Sequence, residues 1–89
     1  MGEVGCFHIE GIKCWFYSQD HRPPHFHAKR RGEWCFRVWF LEKHTAMLER
    51  RPGPKGRIST EDRKILQRMA TEHRDELLLE WERKVKHED

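Results

Sequence analysis

Apolar residues along this chain follow two rhythms. Between residues 12 and 41 they alternate with polar ones, and from residue 59 onward they recur at three- and four-residue steps. Alternation places successive side chains on opposite faces of a strand, whereas the longer step marks one stripe of a helix. In residues 12–18, Ile12, Cys14 and Phe16 share a face, and Lys13, Trp15 and Tyr17 share the other. The second face is aromatic too, so this strand is expected to be covered on both sides. Residues 33–41 give the strongest strand. Trp34, Phe36, Val38 and Phe40 form a wholly apolar face that should meet the core, opposite Cys35, Arg37, Trp39 and Leu41. Shorter strands are predicted at residues 6–9, 25–29 and 45–50. Arg30-Arg31-Gly32 and Glu42-Lys43-His44 supply turns, and Glu10-Gly11 is either a hairpin turn or a bulge.

Ser59 is a good N-cap, and Glu61 and Asp62 suit the positive end of the helix that follows. Leu66, Met69, Ala70, His73, Leu77 and Trp81 then make an amphipathic stripe about five turns long. Leu78 and Leu79 lie off it and can meet a partner chain; fraying is expected from Lys84. The fold class predicted is α+β: a small antiparallel sheet of about four strands packed against one long C-terminal α-helix. One domain, 1–89, is expected, with the sheet at 6–50, a Pro/Gly-rich basic loop at 51–58 and the helix at 59–84.

Composition adjusts this picture in three ways. Four Trp, five Phe and one Tyr supply large buried areas to a small core. No run of about 18 apolar residues exists and the first residues lack a signal-peptide pattern, so no membrane association is expected. Three cysteines, Cys6, Cys14 and Cys35, form no C-x-x-C pair and read as reduced thiols of a cytoplasmic protein. The net charge of +3 is uneven: residues 22–57 hold ten Lys/Arg against three Glu, and residues 61–89 hold seven against nine Asp/Glu. A basic body of this kind is compatible with RNA or DNA as well as with a merely solvated surface.

The candidate chemistry is concentrated in Asp20-His-Arg-Pro-Pro-His-Phe-His-Ala28. Two prolines stiffen the approach to a strand on which His25 and His27 share a face. Three readings follow. The pair can hold a divalent metal such as zinc, with His21 or Asp20 as a third ligand and His73 from the helix as a fourth. The same residues can act as acid and base on RNA, with Arg22 or Arg37 as the charge clamp. Alternatively the turn is structural, with Asp20 accepting backbone N–H bonds and Phe26 filling the core. His8, His44 and His87 look incidental.

The motif Tyr17-x-x-Asp20-His21-x-Pro23-Pro24-His25-Phe26-His27-Ala28, followed by His73, Glu76, Leu77 and Trp81 in the last helix, resembles the signature of the DUF4160 family. The loop at 51–57 is longer and more basic, and the strand at 33–41 richer in aromatics, than that resemblance would suggest. It implies a small bacterial protein of a toxin–antitoxin-like pair, accompanied by a small partner protein of the DUF2442 type. Its leading implied role is an interaction module that binds a protein partner and nucleic acid. The alternative is an RNA-cleaving or metal-dependent hydrolase. On either, Asp20, His21, His25 and His27 line the functional surface, with Arg22, Arg37 and His73 nearby. An exposed sheet edge makes a homodimer a further expectation.

Overall fold

Five strands form one antiparallel sheet in chain order: β1 (Gly2–Glu3), β2 (Lys13–Phe16), β3 (Phe26–Arg30), β4 (Trp34–Val38) and β5 (Leu48–Arg50). The computed structural model describes residues 2–85. A single turn of helix, α1 (His44–Met47), separates β4 from β5, and α2 (Thr60–Glu72) and α3 (Arg74–Lys84) close the chain. The α+β class, the meander and the C-terminal helical arm are those predicted; the sheet has five strands rather than about four.

The register sets which residues face the helices. Trp15 pairs with His27, His27 with Arg37, and Arg37 with Glu49, so these four form one row across the sheet. Their neighbours of even number point the other way. Phe16, Phe26, Ala28, Trp34, Phe36 and Val38 are buried there with Leu66, Ala70, Leu77 and Trp81 from the helices. The predicted apolar face of β4 is therefore the centre of the core. Arg30 reaches from the same face to the start of α2, where its Nε and Nη2 donate to the Asp62 carboxylate, both at 2.9 Å.

Three local readings change. The first strand lies at Gly2–Glu3 and not at residues 6–9, because the Gly5 and Cys6 N–H groups donate to the Glu80 carboxylate instead of to a sheet neighbour. Ile9 rejoins through a lone bridge to Ile12, and Gly11 takes φ +79° in the tight turn between them. Glu10-Gly11 is thus a turn and not a bulge. Residues 45–50 are only half strand. His44 is hydrogen-bonded through Nε2 to Thr71 Oγ1 and its carbonyl accepts from Gln67, which ties a helical turn to α2 before β5 begins. β4 stops at Val38: the Trp39 N–H donates to the Met47 carbonyl and the Phe40 carbonyl accepts from Arg74 Nε.

Ser59 Oγ accepts from the Asp62 N–H, as its N-cap role requires. The expected single helix is interrupted at one residue, His73, at φ −109° and ψ 22°. The ladder runs through the break, from His73 N–H to Met69 carbonyl and from Leu77 N–H to His73 carbonyl. The loop before α2 crosses β4 so closely that a Cβ on Gly56 would collide with the Glu33 carbonyl. Val85, beyond α3, is extended and buried; His87 and the rest of the expected frayed end lie outside the described residues. No helix among the described residues is long and apolar enough to cross a membrane.

Candidate metal centre

The turn at residues 17–25 folds the Asp20 carboxylate back over the entry to β3. Asp20 N–H donates to the Tyr17 carbonyl at 3.2 Å, and Asp20 Oδ2 accepts from the Tyr17 N–H at 2.9 Å. This double bond between the two ends of a four-residue turn is the local reason for Asp at that position. It aims the carboxylate at the two histidines that begin the strand.

His27 Nε2 lies 3.0 and 3.1 Å from the two Asp20 oxygens, as a donor to them. His25 Nε2 lies 3.4 Å from Asp20 Oδ1. That distance brings the two within ion-pair reach, yet the atoms are not aligned as a hydrogen bond, and His25 Nε2 has no hydrogen-bond partner among the described residues. The ring's other nitrogen, Nδ1, donates to the Pro23 carbonyl at 2.9 Å. A neutral His25 with its proton on Nδ1 therefore turns a bare lone pair toward a carboxylate. His25 is 2% exposed and His27 4% exposed. Burial pushes both rings below the ordinary imidazole range, and Arg37 adds to the effect, outweighing the upward pull of Asp20. Two acceptors held together in a dry place call for a cation between them.

The three side chains present one ligand atom each, all within 4.8 Å of one another. A zinc ion with bonds of about 2.0–2.1 Å spaces tetrahedral ligands by about 3.3–3.4 Å. The 3.4 Å and 3.0 Å separations to Asp20 fit that edge length with little adjustment. The bond from His25 Nδ1 to a backbone carbonyl is the outer contact that fixes the tautomer of a metal-binding histidine. His27 would have to move its proton to Nδ1 on binding. The residues present can hold a metal ion.

The walls are aromatic. Trp15 stacks on His27 at 5.5 Å between centroids, Tyr17 meets it edge-on at 4.7 Å, and Trp39 and Trp81 flank His25 at 4.6 and 5.3 Å. Arg37 donates to Glu49 and lies 5.0 Å from the Trp39 ring.

Of the predicted site residues, the fold brings Asp20, His25 and His27 together and keeps Arg37 beside them in the same row. His21 and Arg22 are exposed, and His21 is not part of the cluster. His73 stands apart, with Nδ1 on Glu76 at 2.9 Å and its ring 5.5 Å from Phe7. Sequence reasoning missed Trp39 and Glu49 as neighbours of the site; their odd-number alternation with Arg37 was the available signal. It also missed Glu80, whose signal was a carboxylate on the apolar stripe between Leu77 and Trp81. The cysteines hold no activated thiol: burial pushes Cys6 and Cys14 up to about 12 and raises Cys35 as well. A cavity of about 680 Å³ lies elsewhere, lined by Val4, Phe7, Ile9, Ile12 and Lys29, and includes none of the cluster.

Fold and site together define a small α+β protein with a buried carboxylate–histidine cluster at the mouth of an antiparallel sheet. The chain belongs to the family described as Domain of unknown function (DUF4160), which it matches over residues 11–82. The cluster lies inside that span; Gly5, Cys6 and Lys84, which hold Glu80, lie outside it. No curated protein and no solved structure matches the chain.

Proposed function

We propose that this protein binds a divalent metal ion, zinc foremost, through Asp20, His25 and His27, and is a metal-dependent hydrolase. The observation that carries the reading is the buried His25 Nε2, unpartnered and turned toward a carboxylate. Two imidazoles and one carboxylate are a ligand set that leaves a further position on the ion for water. When bound, such an ion supplies Lewis-acid activation of that water. Metal-independent acid–base cleavage fits less well, since burial of both rings works against the imidazolium that an acid would need. In the bacterial toxin–antitoxin-like setting implied by the family resemblance, this activity belongs to a cytoplasmic effector held by a small partner protein.

Calorimetric titration of metal-free protein with zinc and with manganese tests the centre. Saturable one-to-one binding in the micromolar range or tighter is expected for zinc, weakened at least a hundredfold by Asp20→Asn or His27→Gln. Zinc binding that both variants retain would sink the reading. Hydrolysis of an activated phosphodiester that appears with zinc and stops with chelator tests the activity.

A second reading, an interaction module without chemistry, draws on Leu79, 62% exposed on α3. Single exposed leucines are common on folded surfaces, so this reading ranks second. Loss of partner or dimer formation in Leu79→Asp, with zinc binding intact, would favour it.

A further inference from the structure

We infer that the sheet face opposite the helices binds single-stranded nucleic acid, which would be the substrate class of the proposed centre. This rests on the metal-dependent reading only for the word substrate; the binding itself needs no metal. The helices cover the face that carries Phe16, Phe26, Phe36 and Val38; on the other, Trp81 reaches His25 at one end and the loop at Gly53 passes Cys35 at the opposite end, with the strip between them lined by the sheet's own side chains. That open face is ordered in three rows. At one end the register sets Lys13 beside Lys29 and Lys29 beside Cys35, and Arg51, the residue after β5, donates its N–H to the Cys35 carbonyl. In the middle lies the Trp15–His27–Arg37–Glu49 row. At the far end, about 13 Å along the strands, stand Tyr17, Trp39 and the Asp20–His25 pair.

The face has more donors than acceptors. Both Lys13 and Lys29 place Nζ 5.6 Å from the Trp15 ring and are exposed. Glu49 is already engaged by Arg37 and Trp39, and Asp20 by His27. Beneath the cations, two buried donors have no acceptor among the described residues: Trp15 Nε1, on a side chain that is 5% exposed, and Arg37 Nε. The exposed surplus cations ask for an acceptor-rich anion. Next to them Tyr17, in edge contact with Trp15 and His27, is 47% exposed and offers aromatic surface to a base. Phosphates on a basic row with a base on an aromatic further along the same face is an arrangement by which open sheets take single strands, stacking about two or three bases. A duplex has no unstacked base to offer Tyr17. The strand so laid crosses the row that contains His27, which brings a phosphodiester to the cluster.

The test is fluorescence anisotropy in chelator, using a short labelled oligouridine, the matching oligodeoxythymidine and a duplex of equal length. Binding of either single strand in preference to the duplex is expected, with a salt slope of about −2 if Lys13, Lys29 and Arg51 each neutralise one phosphate. The Lys13→Glu, Lys29→Glu double variant should weaken binding at least tenfold and flatten that slope, and Tyr17→Ala should weaken it about fivefold or more. Lys64→Glu, at an exposed position on α2, should have little effect, whereas Lys29→Glu alone, the same change of charge, should weaken binding. Absence of saturable binding at low salt, preference for the duplex, or a loss in Lys64→Glu equal to that in Lys29→Glu would each overturn the inference. Zinc binding without oligonucleotide binding would overturn it while leaving the metal centre; oligonucleotide binding without zinc would do the reverse.

Discussion

Among the described residues, Glu80 is a buried carboxylate and Asp20 a half-buried one, and their surroundings differ in one respect. Glu80 accepts from the Gly5 N–H at 2.7 Å, the Cys6 N–H at 2.8 Å and Lys84 Nζ at 2.6 Å. Lys84 also donates to the Glu3 carbonyl at 2.7 Å, so the cluster stitches the N-terminal segment to α3. Burial by itself would push the Glu80 carboxyl up, but Lys84, Gly5 and Cys6 outweigh it and hold it below the ordinary carboxylate range. Asp20 accepts from Tyr17 and His27 but also faces the bare Nε2 of His25. Each carboxylate has a donor for both of its oxygens, but only the Asp20 cluster also holds a buried ring nitrogen, His25 Nε2, with no hydrogen-bond partner among the described residues. A buried polar group with all its partners explains itself as structure, while one without them asks what else it binds.

The largest effect that separates the two is metal addition. Zinc at a hundredfold its dissociation constant should stabilise the protein by about 2.7 kcal/mol, measured as a shift in denaturant midpoint and reversed by chelator. The gain should survive in Glu80→Gln and vanish in Asp20→Asn. An equal gain in both would erase the distinction drawn between the clusters.

Next comes the cost of Glu80→Gln itself. The amide turns an NH₂ toward donors and removes the charge opposite Lys84, so urea unfolding should show a loss of about 2 kcal/mol. A loss below about 0.5 kcal/mol, the range of ordinary surface substitutions, would mean that the clasp is ornamental.

The same contrast explains what the sequence could reveal. Asp20, His25 and His27 lie within eight residues, and the alternation of a strand was enough to put both rings on one face. His21 has the same chemistry and the same neighbourhood, yet its side chain goes to solvent, since a turn does not repeat with a period that can be counted. Glu80 was hidden because its partners are 74 and 75 positions away and are backbone groups, which every residue offers alike. Those hidden bonds also misplaced the first strand: residues 6–9 look like a strand, but the N–H of Cys6 and that of Gly5 just before it are claimed by a helix. The apolar stripe of the last helices was legible throughout because it depends on period alone; the break at His73 was not, because the apolar period continues across it.

A smaller effect with the opposite sign is expected from Asp20→Asn in metal-free protein. The amide can keep both the Tyr17 N–H and the His27 Nε2–H on its oxygen and turn its nitrogen toward His25 Nε2, which replaces a repulsion with an attraction. Stability should hold steady or rise by up to about 1 kcal/mol. Two carboxylate-to-amide changes, at Glu80 and at Asp20, would then move stability in opposite directions. A loss at Asp20 as large as that at Glu80 would show that the Asp20 cluster is held together by its own bonds and has no need of a cation.

The finest distinction lies in acid. His25 and His27 titrate below the ordinary value of 6.5 because burial disfavours the imidazolium. As pH falls through 6.5 the unfolded chain takes protons that the folded one refuses, so stability declines until the folded-state value is reached. Glu80 titrates below the ordinary 4.5 because its donors hold the anion. Its contribution is complete above 4.5 and is lost as pH falls from there through the folded-state value. Denaturant midpoints in chelator should therefore start to fall below pH 6.5 and take on a second decline below pH 4.5. His25→Gln with His27→Gln should remove the upper decline and leave the lower, and Glu80→Gln should do the opposite. Zinc sharpens the upper window, because an ion that binds only neutral imidazoles is itself displaced by the protons, so its stabilisation disappears over the same range. An upper decline unchanged by the histidine variants would assign it to other groups and remove the burial argument on which the proposed centre depends.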